Sequence, residues 1–164
     1  MLIGLISDTH DRIDSIEAAM RVFNTRRVEL VLHAGDYTAP FTSSAYRALN
    51  CEMIGVFGNV DGDRGLLKER FSNLGFKVES EFEEVKVDGV TIALIHGVYP
   101  QIVEALALSG KYNVVVHGHT HKRRAEKVGE ALVVNPGEAC GYMYGVKSIA
   151  LLDTATLKVE FIEL

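Results

Sequence analysis

Five short apolar runs in this chain each break off into a polar turn, and every turn carries a side chain able to hold a metal ion. "LIGLIS" (2–7) runs into Asp8-Thr9-His10, "LVLHAGD" (30–36) ends in Gly35-Asp36, and "EMIGVFGN" (52–59) ends in Gly58-Asn59. The strand-like run before residue 97 ends in His96-Gly97, and "YNVVVHGHTH" (112–121) closes on Gly118-His119-Thr120-His121. Such runs, bounded by turn residues, read as buried strands. In α/β sheets, ligands bind beyond the carboxyl ends of the strands. Five strands delivering Asp, Asn and His to those ends constrain the fold to one that brings the ends together.

The segments between the runs fit that demand. Asp14 and Glu17 have the spacing of a capping box with Asp in place of Ser or Thr. Ile13, Ile16, Met20 and Phe23 then predict one buried helical face. Residues 42–50 and 62–71 predict two further helices, so the first half reads β-α-β-α-β-α. Asp88-Gly89, between two strand-like runs, predicts a hairpin with a type I′ turn. Pro100 opens a helix that Gly110 closes. A second hairpin is expected around Gly129-Glu130, and the last strands at 146–152 and 157–163. A parallel βα half followed by antiparallel strands predicts a mixed α/β fold with two sheets face to face. At 164 residues the chain fits a single domain, 1–164, with a real core.

The bulk numbers exclude several classes. A net charge of −5 and a pI near 5.7 argue against bulk attraction to nucleic acid or to an anionic membrane. No apolar run reaches the ~18–20 residues of a membrane span, and "MLIGLISDTH" lacks the basic start and cleavage site of a signal peptide. Cys51 and Cys140 are the only cysteines and form no CxxC pair. The expectation is a cytoplasmic protein with reduced thiols.

The ligand set itself is chemically coherent. Two carboxylates, four imidazoles and an amide oxygen suit borderline ions such as Mn, Fe, Co, Ni or Zn, and are too rich in nitrogen for a Mg or Ca cage. Seven side chains (Asp8, His10, Asp36, Asn59, His96, His119, His121) exceed the demand of one tetrahedral ion, so two divalent ions are expected.

The series D-x-H, G-D, G-N-x-[ED], H-G and G-H-x-H resembles that of the calcineurin-like metallophosphoesterases. Here it stands as "DTH" (8–10), "GD" (35–36), "GNVD" (58–61), "HG" (96–97) and "GHTH" (118–121), with "NPGE" (135–138) resembling a further turn after them. The similarity is greatest to small archaeal and bacterial members of the YfcE type. It implies two stacked mixed β-sheets flanked by helices, a four-layer αββα fold, with a dinuclear centre at one end and, at the family level, a homodimer. It also implies a partition of ligands: Asp8, His10, Asp36 and His121 at one ion, Asp36, Asn59, His96 and His119 at the other, with Asp36 bridging. Mn and Ni are the favoured metals. The implied activity is phosphodiester hydrolysis of a small substrate by in-line attack of a hydroxide held between the ions, with Asp36, Asn59 and Asp61 as catalytic residues and Asn59 also a phosphate donor.

One departure bears on the chemistry. Many phosphatases of this family read G-N-H-E, and the histidine helps protonate the leaving group. Val60 stands there in this chain and carries no proton. Asp61 is next in line, either as a proton donor or as a carboxylate that orients its neighbours. His33 and His117 read as core or supporting histidines, and Lys122, Arg123 and Arg124 as a solvated strand face beside the last ligand. Cys140 reads as an inert thiol, while Tyr142 and Tyr144 fit either a substrate pocket or a subunit contact. Two competing functions stay open: a non-catalytic scaffold on the same fold, and a phosphomonoesterase.

Overall fold

A computed structural model describes all residues, 1–164. The elements are β1 (Leu2–Ile6), α1 (Ile13–Thr25), β2 (Leu30–His33), a 3₁₀ segment (Pro40–Ala48), β3 (Glu52–Val56), α2 (Arg64–Asn73), β4 (Lys77–Ser80), β5 (Phe82–Val87), β6 (Val90–Ile95), α3 (Pro100–Leu108), β7 (Val114–Val116), β8 (Arg123–Val128), β9 (Ala131–Pro136), β10 (Ser148–Asp153) and β11 (Lys158–Glu163). They form a six-stranded sheet in the order β11-β10-β1-β2-β3-β4 and a five-stranded sheet in the order β5-β6-β7-β9-β8.

The two sheets pack face to face. Ile3, Leu5, Leu30 and Leu32 of the first interdigitate with Ile92, Leu94, Val114 and Val116 of the second in one buried cluster. Helices cover both outer faces. Ile16, Met20 and Phe23 of α1, Tyr46 of the 3₁₀ segment, and Leu67 and Phe71 of α2 bury against the far side of the first sheet. Val103 and Ala107 of α3 do the same for the second, against Ala93, Val115 and Val133. Strands buried on both faces are apolar along their whole length rather than alternating, which is why β1, β2 and β7 are legible as apolar runs. Truncating one of these side chains, for example Leu32→Ala, costs about 2–5 kcal/mol. No helix is long and apolar enough to cross a membrane.

Both hairpins form as expected. Asp88 and Gly89 take φ of 49° and 76°, the positive pair that a type I′ turn needs, and Gly129 takes φ 60° between β8 and β9.

Other expectations are corrected. The second half is not simply antiparallel: β6, β7 and β9 are mutually parallel, because α3 crosses over from β6 to β7 and the β8–β9 hairpin returns β9 beside β7. The closing hairpin β10–β11 instead joins the first sheet, with β10 antiparallel to β1. No capping box opens α1. Ser15 and Ile16 bond back to the carbonyl of Arg12, so the helix begins before Asp14. The Asp14 carboxylate pairs with Arg12 (3.1 Å) and Lys147 (2.7 Å) instead. Ile13, in that first turn, is 39% exposed and leaves the buried face to Ile16, Met20 and Phe23. Residues 40–48 wind as 3₁₀ rather than α-helix. There Thr42 and Ser44 turn their hydroxyls onto the carbonyls of Ala39 (2.8 Å) and Phe41 (3.1 Å), competing with the helical pattern. Strand β4 has no sequence signature, since only Val78 of its four residues is buried.

Candidate metal centre

The parallel strands of both sheets point their carboxyl ends to one rim, and all seven expected ligand residues lie there. Asp8 and His10 follow β1, Asp36 follows β2 and Asn59 follows β3. His96 follows β6, and His119 and His121 follow β7. The loops are stitched together within each sheet and, through His119, across the two. Asp8 N–H donates to Gly35 O (3.1 Å), His10 N–H to Asp36 O (3.1 Å), Gly118 N–H to His96 O (3.0 Å), and His119 N–H to Asp8 Oδ2 (3.1 Å).

The backbone is bent hard to achieve this. Asp8 (φ 53°), His10 (39°), Asp36 (62°), His119 (66°) and His121 (60°) all adopt the left-handed conformation. For an L-residue that costs about 1–2 kcal/mol, and such residues cluster where surrounding structure enforces a functional geometry. Two glycines permit the close approach. A Cβ at Gly58 would overlap the Asp36 carboxylate, and one at Gly118 would overlap the Ser7 hydroxyl and crowd Asp8.

The donor atoms fall into two groups sharing Asp36. In the first, His10 Nε2 and His121 Nε2 are 3.4 Å apart. His121 Nε2 is 3.3 Å from Asp8 Oδ1, and His10 Nε2 is 3.6 Å from Asp36 Oδ2. In the second, Asn59 Oδ1 lies 3.0 Å from His96 Nε2 and 2.9 Å from His119 Nδ1. His96 Nε2 is also 3.2 Å from Asp36 Oδ2. The carboxylate oxygen of Asp36 therefore faces both groups. Among these, the atoms of Asp8, His10 and Asp36 converge tightly enough to hold one ion between them.

The tautomers show that the cluster suits a cation. His96 Nδ1 is 2.7 Å from the carbonyl of Ala34, which accepts only, so Nδ1 carries the proton. In the neutral ring its Nε2 lone pair is then aimed at two oxygen acceptors, Asn59 Oδ1 and Asp36 Oδ2, an arrangement that calls for a proton or a metal ion between them. His121 is fixed the same way: Nδ1–H donates to Glu138 Oε2 at 2.8 Å, and the Nε2 lone pair faces Asp8 and His10. Lone pairs pointed at one another repel unless a positive charge lies among them. A carbonyl or carboxylate on the far nitrogen is also how metal-binding imidazoles are held in proteins.

Without a metal ion, the charges favour a proton in that place instead. Burial pushes the Asp8 carboxyl above its usual range despite the nearby imidazoles. Burial acts the same way on Asp36, but the His96 hydrogen bond and charge, with the Val60 N–H, outweigh it and hold the group below its ordinary value. His96 loses by burial and gains more from Asp36 and Asp8, so it sits above the usual imidazole value.

Glu138 has no counterpart among the expected site residues. It is 1% exposed. Besides His121, its carboxylate accepts the N–H groups of Met143 (2.9 Å) and Tyr144 (2.6 Å) and the thiol of Cys140 (3.4 Å). Burial would raise its carboxyl, but these donors together hold it below the ordinary range. The one signal in the sequence is an acidic residue closing the "NPGE" turn. Cys140 sits near His10 and His121, but burial raises its thiol to about 12 and it acts as a donor to Glu138.

Asp61 is buried with both oxygens on backbone: it accepts N–H groups from Gly58 (2.7 Å), Thr38 (2.8 Å) and Asp36 (3.1 Å). Val60 is 41% exposed beside it. His33 is core, stacked on Tyr37 at 3.9 Å and bonded to Tyr46 Oη at 3.0 Å. His117 is buried behind the rim. Arg123 and Arg124 pair with Glu163 and Glu126 on a solvated strand, while Lys122 lies over the Tyr144 ring at 5.4 Å.

Residues 1–157 match the model of the calcineurin-like phosphoesterase superfamily domain. The chain belongs to that superfamily. It is 40% identical over 155 residues to a phosphodiesterase of Methanocaldococcus jannaschii, covering 94% of this chain and 93% of the relative. The solved structure of an archaeal phosphodiesterase superposes with a TM-score of 0.96 at 38% identity, covering the whole of both chains. YfcE, a phosphoesterase from E. coli, superposes with a TM-score of 0.74 at 19% identity, over 99% of this chain and 98% of the other, a likeness of fold alone.

Proposed function

We propose that this chain is a phosphodiesterase working with two divalent transition-metal ions, Mn or Ni by preference, with Fe, Co or Zn as other fits to the same donors. The observation that carries the reading is the Asp36 carboxylate, set between two groups of imidazole-nitrogen and oxygen atoms whose lone pairs converge and repel one another unless a positive charge lies among them. Asp8, His10, Asp36 and His121 would hold one ion, and Asp36, Asn59, His96 and His119 the other. Bound ions would supply a water-derived nucleophile at neutral pH and offset charge developing on the phosphoryl group.

The chain's own residues do the rest. Asn59 presents Oδ1 to His96 and His119, which leaves its amide N–H groups to donate to a phosphoryl oxygen. Asp61 positions the loops: its three backbone bonds fix Asp36 and Gly58 relative to each other, so it acts through Asp36 rather than on the substrate. With Val60 unable to carry a proton and Asp61 turned to the backbone, no side chain at this edge protonates a departing alkoxide. Esters whose leaving group is a stable anion, aryl diesters above all, are therefore favoured, and this weighs against a phosphomonoesterase of alkyl phosphates. A purely scaffolding role leaves the filled ligand positions and the left-handed strain unexplained.

The test is hydrolysis of bis-p-nitrophenyl phosphate by chelated protein reloaded with Mn or Ni. Turnover is expected only after reloading, and Asp36→Ala should abolish it while circular dichroism shows a folded protein. Full activity in chelated protein, or in Asp36→Ala, would overturn the reading.

A further inference from the structure

A cleft of about 450 Å³ opens directly beside Asn59 and His96, within the size range of small-ligand sites. Its walls are Phe57, Val98, Tyr99 and Ile102. Three of these are unusually exposed for apolar side chains: Tyr99 at 64%, Ile102 at 45% and Val98 at 37%. The wall is built by the entry to α3, where the chain leaves His96-Gly97 and Pro100 starts the helix. At the other side Arg64 lies over the Phe57 ring at 5.3 Å, donates to Gly58 O at 2.9 Å and pairs with Glu81 at 2.5 Å. That network holds a guanidinium and a carboxylate together on the cleft lining, opposite the apolar wall of Val98, Tyr99 and Ile102.

We infer that this cleft is the subsite for one ester substituent of the substrate, and that the substituent is a nucleoside. The inference rests on the phosphodiesterase reading, because it is Asn59 and His96 that join the cleft to the reacting phosphorus. The apolar and aromatic walls favour a flat ring, since base–aromatic stacking tolerates any base. The Arg64–Glu81 pair offers a donor and an acceptor side by side, which matches the polar edge of a nucleobase. An acyl chain would make no use of the Arg64 and Glu81 groups on the lining.

Two diesters with the same leaving group test this: thymidine 5′-(p-nitrophenyl) phosphate and methyl p-nitrophenyl phosphate, each with Mn-loaded protein. The expected result is a kcat/KM about tenfold higher for the thymidine ester, carried by KM, with the ratio falling toward unity in Tyr99→Ala and in Ile102→Ser. Equal kcat/KM for the two esters in the wild type, or an unchanged ratio in both variants, overturns the subsite while leaving the phosphodiesterase reading standing. A second measurement does not depend on hydrolysis. Thymidine titrated into metal-free protein should shift the amide resonances of residues 57–59 and 97–102, and no shift at millimolar thymidine overturns the subsite. If neither ester is hydrolysed with any ion, the phosphodiesterase reading fails and this titration alone decides the cleft.

Discussion

Replacing Glu138 by Gln isolates the contribution of one buried charge to the metal centre. The substitution keeps the shape but turns one carboxylate oxygen into an N–H donor. If the amide places its NH₂ toward His121, the imidazole must accept at Nδ1, and its proton moves to Nε2, the atom aimed at Asp8 and His10. If it places its NH₂ the other way, two donors confront the N–H groups of Met143 and Tyr144, 2.9 Å and 2.6 Å from the carboxylate in the wild type. Either orientation loses at least one charge-assisted hydrogen bond, worth about 1.5–3 kcal/mol. Loss of a carboxylate behind a metal-binding histidine lowers metal affinity about 10–100-fold. If the centre holds two ions as proposed, E138Q is therefore expected to bind one of them, with Mn as the probe, at least tenfold more weakly by calorimetric titration. The amides of Met143 and Tyr144 should also exchange faster with deuterium. Wild-type affinity at both ions would falsify the argument that Glu138 fixes the His121 tautomer.

Gly58→Ala places a Cβ against the Asp36 carboxylate; it should cost about 1–3 kcal/mol of stability and leave the purified protein short of metal by elemental analysis. His119→Gly removes an imidazole but relieves a φ of 66°, so metal-free protein should gain about 0.5–1 kcal/mol in urea unfolding while hydrolysis is lost; a destabilised variant would count against strain at this rim. Burial pushes His117 from 6.5 down to about 4, so between those pH values the unfolded chain binds a proton that the folded chain refuses, and stability falls as pH falls through that window. That contribution is about 3 kcal/mol, and His117→Gln should flatten the acid limb of the metal-free stability profile; an unaltered limb would sink the assignment.

The rim was legible because a metal site needs chemically distinctive side chains at strand ends, and four of the five ends here set a glycine beside Asp, Asn or His, while the first carries Asp8 and His10 two residues apart. The double-sided burial of β1, β2 and β7 made those strands visible as apolar runs. What escaped was whatever depends on partners distant in sequence. Strand β4 is an edge with only Val78 buried, so it carries no run and no alternation. The parallel placement of β9 follows from where its hairpin docks, which no local pattern records. Glu138 is one acidic residue among many until the fold sets it 2.8 Å from His121. Asp14 misled because capping spacing is local, whereas Arg12 had already committed the backbone to a turn.

The rim draws Asp8, His10, Asp36 and Asn59 from one layer of the sandwich and His96, His119 and His121 from the other. A cation seated between them, as proposed, would be a rivet through both layers as well as a reagent. Because an unfolded chain offers no such seat, occupancy at a hundred times the dissociation constant adds about 2.7 kcal/mol per ion, a sizeable share of a typical domain's ~5–15 kcal/mol. The supply of transition metal would then govern how long the molecule survives as well as how fast it works, and starvation for the ion would deplete the enzyme by proteolysis along with its turnover.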